Sequence, residues 1–283
     1  MKHLAIYILA ATGMCLAADE LPKVYEHDVT KWKEVPLPSR LSYEERSAFM
    51  QRANFSQVEW TVERQEKTVR AVLSSGNNET PETDRPSFSM EIPLGSDPSI
   101  VPTQVLKVND GWLAGYNQGE FGAALWWYAT DGKQRYKISD HQVNQFIVHK
   151  ERIFAVEGLA HMGTDEGSLI EIRHNGNQWA AATFVDLPGC GQTITVLNDD
   201  RFCIATMGML LTVSLDKKME ILIPQGAWMY FCLPHSIALD ANSEIIYIGM
   251  RQFVVRYNLK ANNHSYQFLI PSLDFLNKKA APF

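Results

Sequence analysis

Residues Gly122–Gly132 have the sequence GAALWWYATDG, and three later stretches of the chain repeat its pattern. They are GSLIEIRHNG (Gly167–Gly176), GMLLTVSLDK (Gly208–Lys217) and GMRQFVVRYNLK (Gly249–Lys260). Each begins at a glycine and continues through aliphatic, aromatic or β-branched residues, which are typical of strands. Recurrence at a period of roughly 40–50 residues is the signature of propeller blades.

Each of these stretches is the third strand of a predicted four-stranded unit. The predicted strands are Val105–Val108, Trp112–Tyr116, Ala123–Ala129 and Arg135–Ser139; Asn144–His149, Arg152–Val156, Ser168–Arg173 and Gln178–Val185; Thr193–Leu197, Arg201–Ala205, Met209–Val213 and Met219–Ile223; and Ser236–Leu239, Glu244–Ile248, Gln252–Tyr257 and Tyr266–Ile270. Turn-forming residues such as Asn109-Asp110-Gly111 separate the first two strands of a unit. Asp131-Gly132 and Asn175-Gly176 predict two-residue type I′ turns, which need positive φ at both positions.

A less regular unit precedes these four. Val58–Leu73 alternates in two runs that predict paired strands, and Phe88–Pro93 is a third predicted strand. Terminal repeats are often atypical because they close the array. We therefore predict an all-β fold, a β-propeller of five blades of four-stranded antiparallel sheet with a degenerate N-terminal blade. One short helix is predicted at Ser42–Ala53, where Ser42 and Glu45 fit a capping box.

The repeats resemble those of bacterial secreted β-propeller proteins over about two thirds of the chain. They lack the Gly-His and Trp-Asp signatures of the best-known eukaryotic class. The resemblance is to a group without a characterised activity, so it implies a fold and no reaction. A two-sheet β-sandwich is the alternative, since it also contains many short alternating strands, but it would not require the internal period.

The N-terminus has the features of a secretory signal. Lys2 and His3 precede an apolar run, Leu4–Leu16, and Ala17 and Ala18 supply small residues for cleavage. The run is too short to cross a bilayer comfortably, so we predict a periplasmic or secreted protein without a stable membrane span. A buried N-terminal strand or helix, or lipidation at Cys15, are the alternatives. The predicted domains are a signal peptide (1–18), an extended lead-in with the short helix (19–57) and one propeller domain (58–283).

Charge and cysteine content narrow the functional classes. The 283 residues carry a formal net charge of −6, which argues against nucleic acid as a partner. Cleavage would leave Cys190, Cys203 and Cys232, compatible with one disulfide and one thiol or with three buried side chains. No C-x-x-C sequence is present, so neither a zinc site nor a redox dithiol is predicted.

In a propeller, the corners between the second and third strands of each blade meet on one face. Those corners, with the neighbouring connections, predict a ligand-binding rim containing Asn117, Glu120, His161, His235 and Arg251. Arg251 offers a planar donor fork and His161 can change charge near neutral pH. Alternatively, Glu120 and Arg251 form a structural ion pair, and the two histidines merely satisfy backbone groups.

Two further groups of residues allow alternative interpretations. Trp126-Trp127-Tyr128 would pack between neighbouring sheets or, alternatively, form a platform on which a sugar stacks. Asp165 and Glu166 lie in a predicted corner, Glu157–Gly167, and would be a solvated loop tip or, alternatively, a calcium site.

No catalytic motif is present, and no cofactor or metal is predicted. The leading hypothesis is a non-enzymatic exported propeller that holds a polar small molecule, a glycan or a protein on this face. The alternatives are a propeller hydrolase or lyase for a sugar or lactone, with Glu120 or His161 as general base, and an envelope assembly factor.

Overall fold

An all-β architecture of antiparallel sheets, with almost no helix, forms the described part of the chain. The computed structural model describes residues 24–35, 42–45, 47, 56–66, 68–74, 85–228, 232–261 and 265–275. No helix in these ranges is long and apolar enough to span a bilayer. The predicted signal peptide lies outside the described residues, as does most of the helix predicted at Ser42–Ala53.

The first two repeats form the antiparallel meanders that the sequence predicts, because apolar alternation and turn residues agree along both. The strands are β6 (Gln104–Val108), β7 (Gly111–Asn117), β8 (Ala123–Ala129) and β9 (Arg135–Ser139), then β10 (Val143–His149), β11 (Arg152–His161), β12 (Thr164–His174) and β13 (Trp179–Leu187). In both sheets, the spatial order of the strands is their order along the chain.

The last two repeats have the same topology, and the final sheet gains a fifth strand from the N-terminal region. The strands are β14 (Gly191–Asn198), β15 (Arg201–Thr206), β16 (Leu210–Ser214) and β17 (Met219–Ile223), then β18 (Ser236–Asp240), β19 (Ile245–Gly249), β20 (Val254–Asn258) and β21 (Tyr266–Ile270). β1 (Lys33–Val35) pairs antiparallel with β21. The predicted extended lead-in therefore contributes a strand to the last sheet.

The N-terminal unit differs from the prediction in its third strand. β2 (Trp60–Gln65) and β3 (Thr68–Leu73) pair as predicted and form a two-stranded sheet. The strand predicted at Phe88–Pro93 does not join them. Instead β4 (Ile92–Leu94) pairs with β5 (Asp97–Ile100) as a separate hairpin, since Gly95, at φ +59°, allows the chain to reverse directly after β4.

The turns occur where the sequence places them, but their types differ from the prediction. Between β8 and β9, and between β12 and β13, only the glycine of each predicted pair has positive φ. These two connections are longer than two residues, so neither is a two-residue type I′ turn. That geometry occurs at Lys150-Glu151 and Met162-Gly163, where both residues of a two-residue connection have positive φ.

Met162-Gly163 ends a long hairpin that the sequence analysis missed. The predicted corner Glu157–Gly167 is paired strand, with Gly158 opposite Gly167 and His161 opposite Thr164. Two close-packed glycines face each other across this pair. A Cβ added to either would lie within 2.5 Å of a backbone oxygen of the opposite strand. The glycines therefore allow close strand pairing here instead of marking a loop.

The hydrophobic core is divided into layers between neighbouring sheets. Each buried cluster combines side chains from two consecutive sheets, or from a sheet and an N-terminal hairpin. Pairs that share a layer are Ile92 with Trp112, Leu113 with Ile170, Phe154 with Phe202, Cys203 with Ile248, and Trp60 with Tyr247. Burial of this apolar surface, at about 25 cal/mol per Å², stabilises the packing of neighbouring sheets.

Two alternatives left open by the sequence are resolved by this packing. Cys190, Cys203 and Cys232 are all buried, and no two of them form a disulfide. Burial raises the pKa of the Cys203 thiol to about 12. Trp126 packs in the layer beside β4 and β5, whereas Trp127 packs in the layer beside the next sheet. The inter-sheet packing interpretation of these tryptophans is therefore confirmed.

The predicted capping box is also confirmed. The backbone N–H of Ser42 donates to Glu45 Oε2 at 2.9 Å, and the backbone N–H of Glu45 donates to Ser42 Oγ at 3.3 Å. Tyr43–Glu45 are helical.

Candidate functional site

The first strands of the four predicted repeats, β6, β10, β14 and β18, pack one against the next, and a cavity opens between them. β6 packs against β10, β10 against β14, and β14 against β18, while β2 packs against β18. The cavity has a volume of about 1120 Å³. Its wall comes from β2, β3, β6, β10, the start of β14 and the segment before β18, together with residues 85–103.

Five side-chain amides, which we call the amide set, form the polar part of the wall. They are Gln104, Asn117, Asn144, Gln145 and Gln192. All five are partly buried. Four of them lie within the first strands, and Asn117 ends β7, so the packing of the first strands brings the set to one place.

Backbone contacts fix the orientation of three of these amides. The N–H of Gly119 donates to Asn117 Oδ1 at 2.8 Å, so the Asn117 nitrogen is turned towards Asn144 and donates to its Oδ1 at 2.7 Å. Asn144 Nδ2 donates to the carbonyl of Gly191 at 2.8 Å. A backbone N–H only donates and a carbonyl only accepts, so neither Asn117 nor Asn144 can exchange the positions of its amide oxygen and nitrogen without losing a hydrogen bond. The chain of bonds crosses three consecutive sheets.

Gln145 is held by its oxygen alone. Gln145 Oε1 accepts from Thr193 Oγ1 at 2.7 Å and from the backbone N–H of Ile194 at 2.9 Å. Its amide nitrogen has no hydrogen-bond partner in the described part of the chain. This side chain therefore presents two N–H donors to the cavity in an orientation that the protein fixes.

Gln192 and Gln104 supply further unused hydrogen-bonding groups. Gln192 Nε2 donates to Cys190 Sγ at 2.9 Å, and no described residue donates to its oxygen. The Gln104 side chain has no hydrogen-bond partner among the described residues. The wall thus offers both donors and acceptors to a ligand.

His235 completes the polar wall on the side of the last repeat. Its Nδ1 lies 3.3 Å from the carbonyl of Leu233, and its Nε2 lies 3.4 Å from Thr61 Oγ1. The carbonyl only accepts, so Nδ1 carries the proton and Nε2 accepts from the threonine. Burial lowers the pKa of His235 below its ordinary value of 6.5, which keeps the ring neutral at pH 7.

Part of the wall is apolar. It consists of side chains from β3 and from the segments around the β4–β5 hairpin, namely Val72, Leu73, Pro86, Phe88, Met90, Val101 and Pro102. The described lining contains no aspartate or glutamate, and Arg85 is its only permanently charged side chain. Within the described residues, no group of three or more histidine, cysteine or acidic side chains could hold a metal ion.

The residues predicted for the rim fall into two groups. Asn117 and His235 line the cavity. Glu120 and His161 do not line it; they pair with each other at 2.7 Å between Glu120 Oε2 and His161 Nδ1, and both are exposed. Arg251 pairs with Glu59 at 3.2 Å. The alternative of a Glu120–Arg251 ion pair is therefore wrong, because each residue has a different partner.

Asp165 is not at a solvated loop tip, as the sequence suggested. Its Oδ1 accepts from the backbone N–H of Cys190 at 2.7 Å, and its Oδ2 accepts from Gln225 Nε2 at 3.3 Å. It therefore ties the long β11–β12 hairpin to the next sheet.

Sequence reasoning missed most of the amide set, and no recurring residue indicates it. Gln104 and Gln192 each lie near the start of a first strand. The glutamine next to the start of β10, Gln142, does not line the cavity, and its Nε2 donates to the carbonyl of Gly119 at 2.6 Å. The place of Asn144 and Gln145 in the wall therefore follows from contacts between sheets.

Comparisons with known proteins identify no family. No protein-family model matches the chain, and no curated protein matches it. One solved structure that partly superposes is the extracellular domain of a putative one-component system from B. thetaiotaomicron, with TM-score 0.31 and 13% identity over 65% of this chain and 29% of that chain. Another is the extracellular domain of a putative hybrid two component system from the same organism, with TM-score 0.31 and 14% identity over 63% and 28%. This chain spans less than a third of either, and at this TM-score neither supports a functional argument.

Proposed function

We propose that this chain is an exported binding protein of the propeller type, which holds a polar small molecule in the cavity between its first strands. The observation that carries the proposal is the amide set. Its members come from consecutive sheets, and backbone contacts fix the orientation of Asn117, Asn144 and Gln145. Gln104, Gln145 and Gln192 leave donors or acceptors unused. Sites of this kind combine an apolar wall with a few placed polar groups.

The propeller with five blades rests on the succession of first strands. Four repeats of the same topology follow one another, and β2 continues the series beyond β18. Residues of β2 and β3, at one end of the series, line the same cavity as residues of β6 at the other end. A ring in which the β2–β3 hairpin is the degenerate blade accounts for both facts.

Export rests on the N-terminal sequence. The basic start, the apolar run Leu4–Leu16 and the small residues Ala17 and Ala18 together favour a signal peptide and a periplasmic or secreted protein.

Binding is favoured over catalysis by the chemistry of the wall. Glycoside hydrolysis ordinarily uses two carboxyl groups that flank the scissile bond, and the described lining offers none. Glu120 and His161, the candidate general bases of the enzyme hypothesis, are bound to each other outside the lining. The wall is instead suited to hydrogen-bonding an uncharged ligand.

Thermal unfolding of the full-length protein against small-molecule classes tests the proposal. The panel contains neutral saccharides, sugar acids, amino acids, nucleosides and blocked neutral dipeptides. We expect one class to raise Tm by about 3–6 °C at a concentration about tenfold above its Kd. The increase should be lost in Gln104→Trp, which fills the cavity at a side chain without internal hydrogen bonds.

Two control variants locate the binding. Gln134→Trp places the same bulk on an exposed turn and should keep the increase, as should the rim variant Glu120→Gln/His161→Gln. The proposal is wrong if no class raises Tm, if filling the cavity leaves the increase intact, or if the rim variant alone abolishes it.

A further inference from the structure

We infer that the ligand of the cavity is a neutral oligosaccharide, recognised through its hydroxyl groups by Gln104, Gln145 and Gln192. The inference rests on the proposed function and specifies the chemical class of its ligand. The cavity combines matched hydrogen-bonding groups, an apolar face and a lack of compensating charge, and each of these features restricts that class.

The unused hydrogen-bonding groups match those of hydroxyls. Gln145 presents two donors because its oxygen is held by Thr193 and Ile194. Gln192 presents an acceptor because its nitrogen is bound to Cys190 Sγ. Gln104 can offer both ends of its amide. A hydroxyl donates once and accepts twice, so neighbouring hydroxyls on a sugar ring can satisfy such mixed groups, whereas a ligand that only accepts or only donates cannot.

The apolar wall gives the second restriction. Phe88, Met90, Val101 and Pro102, from the β4–β5 region, also line the cavity and give it apolar surface. A pyranose ring has C–H groups on its faces and hydroxyls around its edge. Apolar side chains of the wall can make van der Waals contacts with those C–H groups. A sugar can therefore place a face on this wall while its edge reaches the amides.

The charges of the wall give the third restriction. A phosphate or a sugar acid would need several cationic or N–H partners, and Arg85 is the only permanent cation of the described lining. Burying an unpaired charge is costly, so an uncharged ligand is favoured.

The volume favours more than one sugar ring. At about 1120 Å³, the cavity exceeds the range of about 300–1,000 Å³ that is usual for small-molecule sites. We therefore expect trisaccharides to bind more tightly than the corresponding monosaccharides.

The test is calorimetric titration of the full-length protein with maltotriose, cellotriose and chitotriose. The corresponding monosaccharides, glucuronate, alanine and a blocked alanine dipeptide are titrated in parallel. We expect at least one trisaccharide to bind, and its deoxy analogues to bind more weakly, because a site that hydrogen-bonds a hydroxyl rejects ligands lacking it. Titration with the parent polymer distinguishes a free oligosaccharide from a segment of a polysaccharide as the source.

Nearly isosteric variants then identify the recognising amides. Gln145→Glu keeps the oxygen that accepts from Thr193 and Ile194 but replaces the two donors by an acceptor. Gln104→Glu makes the same exchange at a side chain with no hydrogen-bond partner among the described residues. Each should weaken saccharide binding by about tenfold or more, while Gln134→Glu, on an exposed turn, should leave it unchanged. Unfolding curves of the free variants confirm that the fold is retained.

The outcomes separate this inference from the proposed function. If glucuronate, alanine or the dipeptide binds in place of saccharides, and Gln104→Trp abolishes that binding, the oligosaccharide inference is wrong and the binding function stands. If no compound of either panel binds, both are wrong. If a trisaccharide binds equally well to both glutamate variants, the assigned recognition by these amides is overturned.

Discussion

The charged residues of the predicted rim and the uncharged residues of the cavity wall use their polar groups in different ways. On the rim, Glu120 is paired with His161 and Arg251 with Glu59. On the wall, Gln145 and Gln192 are each anchored at one end of the amide, and the other end has no hydrogen-bond partner among the described residues.

The difference follows from the hydrogen-bonding groups that each side chain carries. Arg251 and Glu59 compensate each other's charge, and Glu120 and His161 use hydrogen-bonding atoms on each other, so little attraction remains for a ligand. An amide has a donor end and an acceptor end, and anchoring one end orients the other. The cavity is therefore better prepared for binding than the rim, although the rim has the more conspicuous residues.

The largest expected effect on stability comes from Asn144, which is hydrogen-bonded to both Asn117 and Gly191. Asn144→Leu removes the acceptor of Asn117 Nδ2 and the donor to the Gly191 carbonyl. Leaving two partly buried groups unsatisfied should lower the free energy of unfolding by about 2 kcal/mol. Urea denaturation measures this change.

Asn177→Leu is the matched control, since Asn177 lies exposed between β12 and β13. It should change the free energy of unfolding by less than about 0.5 kcal/mol. If the two variants were equally stable, the hydrogen bonds of Asn144 would have no structural role. The fixed orientation of these amides could then not support the binding proposal.

The strands of the repeats were predictable because their signal is local. Alternating apolar residues, bounded by turn formers, indicate a strand without knowledge of its partners. The predicted strand Ala123–Ala129 has the bounds of β8, and the others overlap their observed strands. β1 was missed because three residues carry no period, and its partner β21 lies more than two hundred residues away in the sequence.

The site was less predictable because its composition depends on contacts between repeats. The sequence indicated Glu120, His161 and Arg251 by their chemistry, but the salt-bridge partner of Arg251 is Glu59, which lies 192 residues earlier. Asn144 and Gln145 appeared only as ordinary strand residues. Their importance arises from Gly191, Thr193 and Ile194 of the next sheet, and no short motif records that contact.

The next largest effect is expected at His235, where the pH dependence of stability tests the environment of the cavity wall. Burial lowers the pKa of His235 in the folded state, so the unfolded chain binds the proton more readily. The contribution of the neutral His235 ring to stability should therefore be fully present above about pH 6.5. It should be lost as the pH drops through that value towards the folded-state pKa. His235→Gln removes this contribution, so the variant should lose less stability between pH 7.5 and pH 5 than the wild type.

Unfolding curves of both proteins across this range measure the difference. Titration of the other histidines is common to both and cancels in the comparison. Parallel losses of stability in the two proteins would show that His235 is not held neutral by the cavity wall.

The Arg251–Glu59 pair should contribute less. Its side chains are 22% and 28% exposed, which places it between a buried and a surface pair. A double-mutant cycle with Arg251→Ala and Glu59→Ala should give a coupling energy of about 1 kcal/mol. A coupling energy near zero would mean that the Glu59–Arg251 β-bridge holds the two segments together without the side chains.

The smallest effect is expected for Glu120 and His161, where the comparison between rim and cavity is tested most directly. These side chains are 45% and 41% exposed, so water screens their interaction. A cycle with Glu120→Gln and His161→Gln at pH 7 should give a coupling energy below about 0.5 kcal/mol. A coupling energy well above 1 kcal/mol would mean that Glu120 and His161 interact more strongly than two exposed side chains should. The rim would then be the better candidate for the site, and the amides of the cavity would serve chiefly to join the sheets.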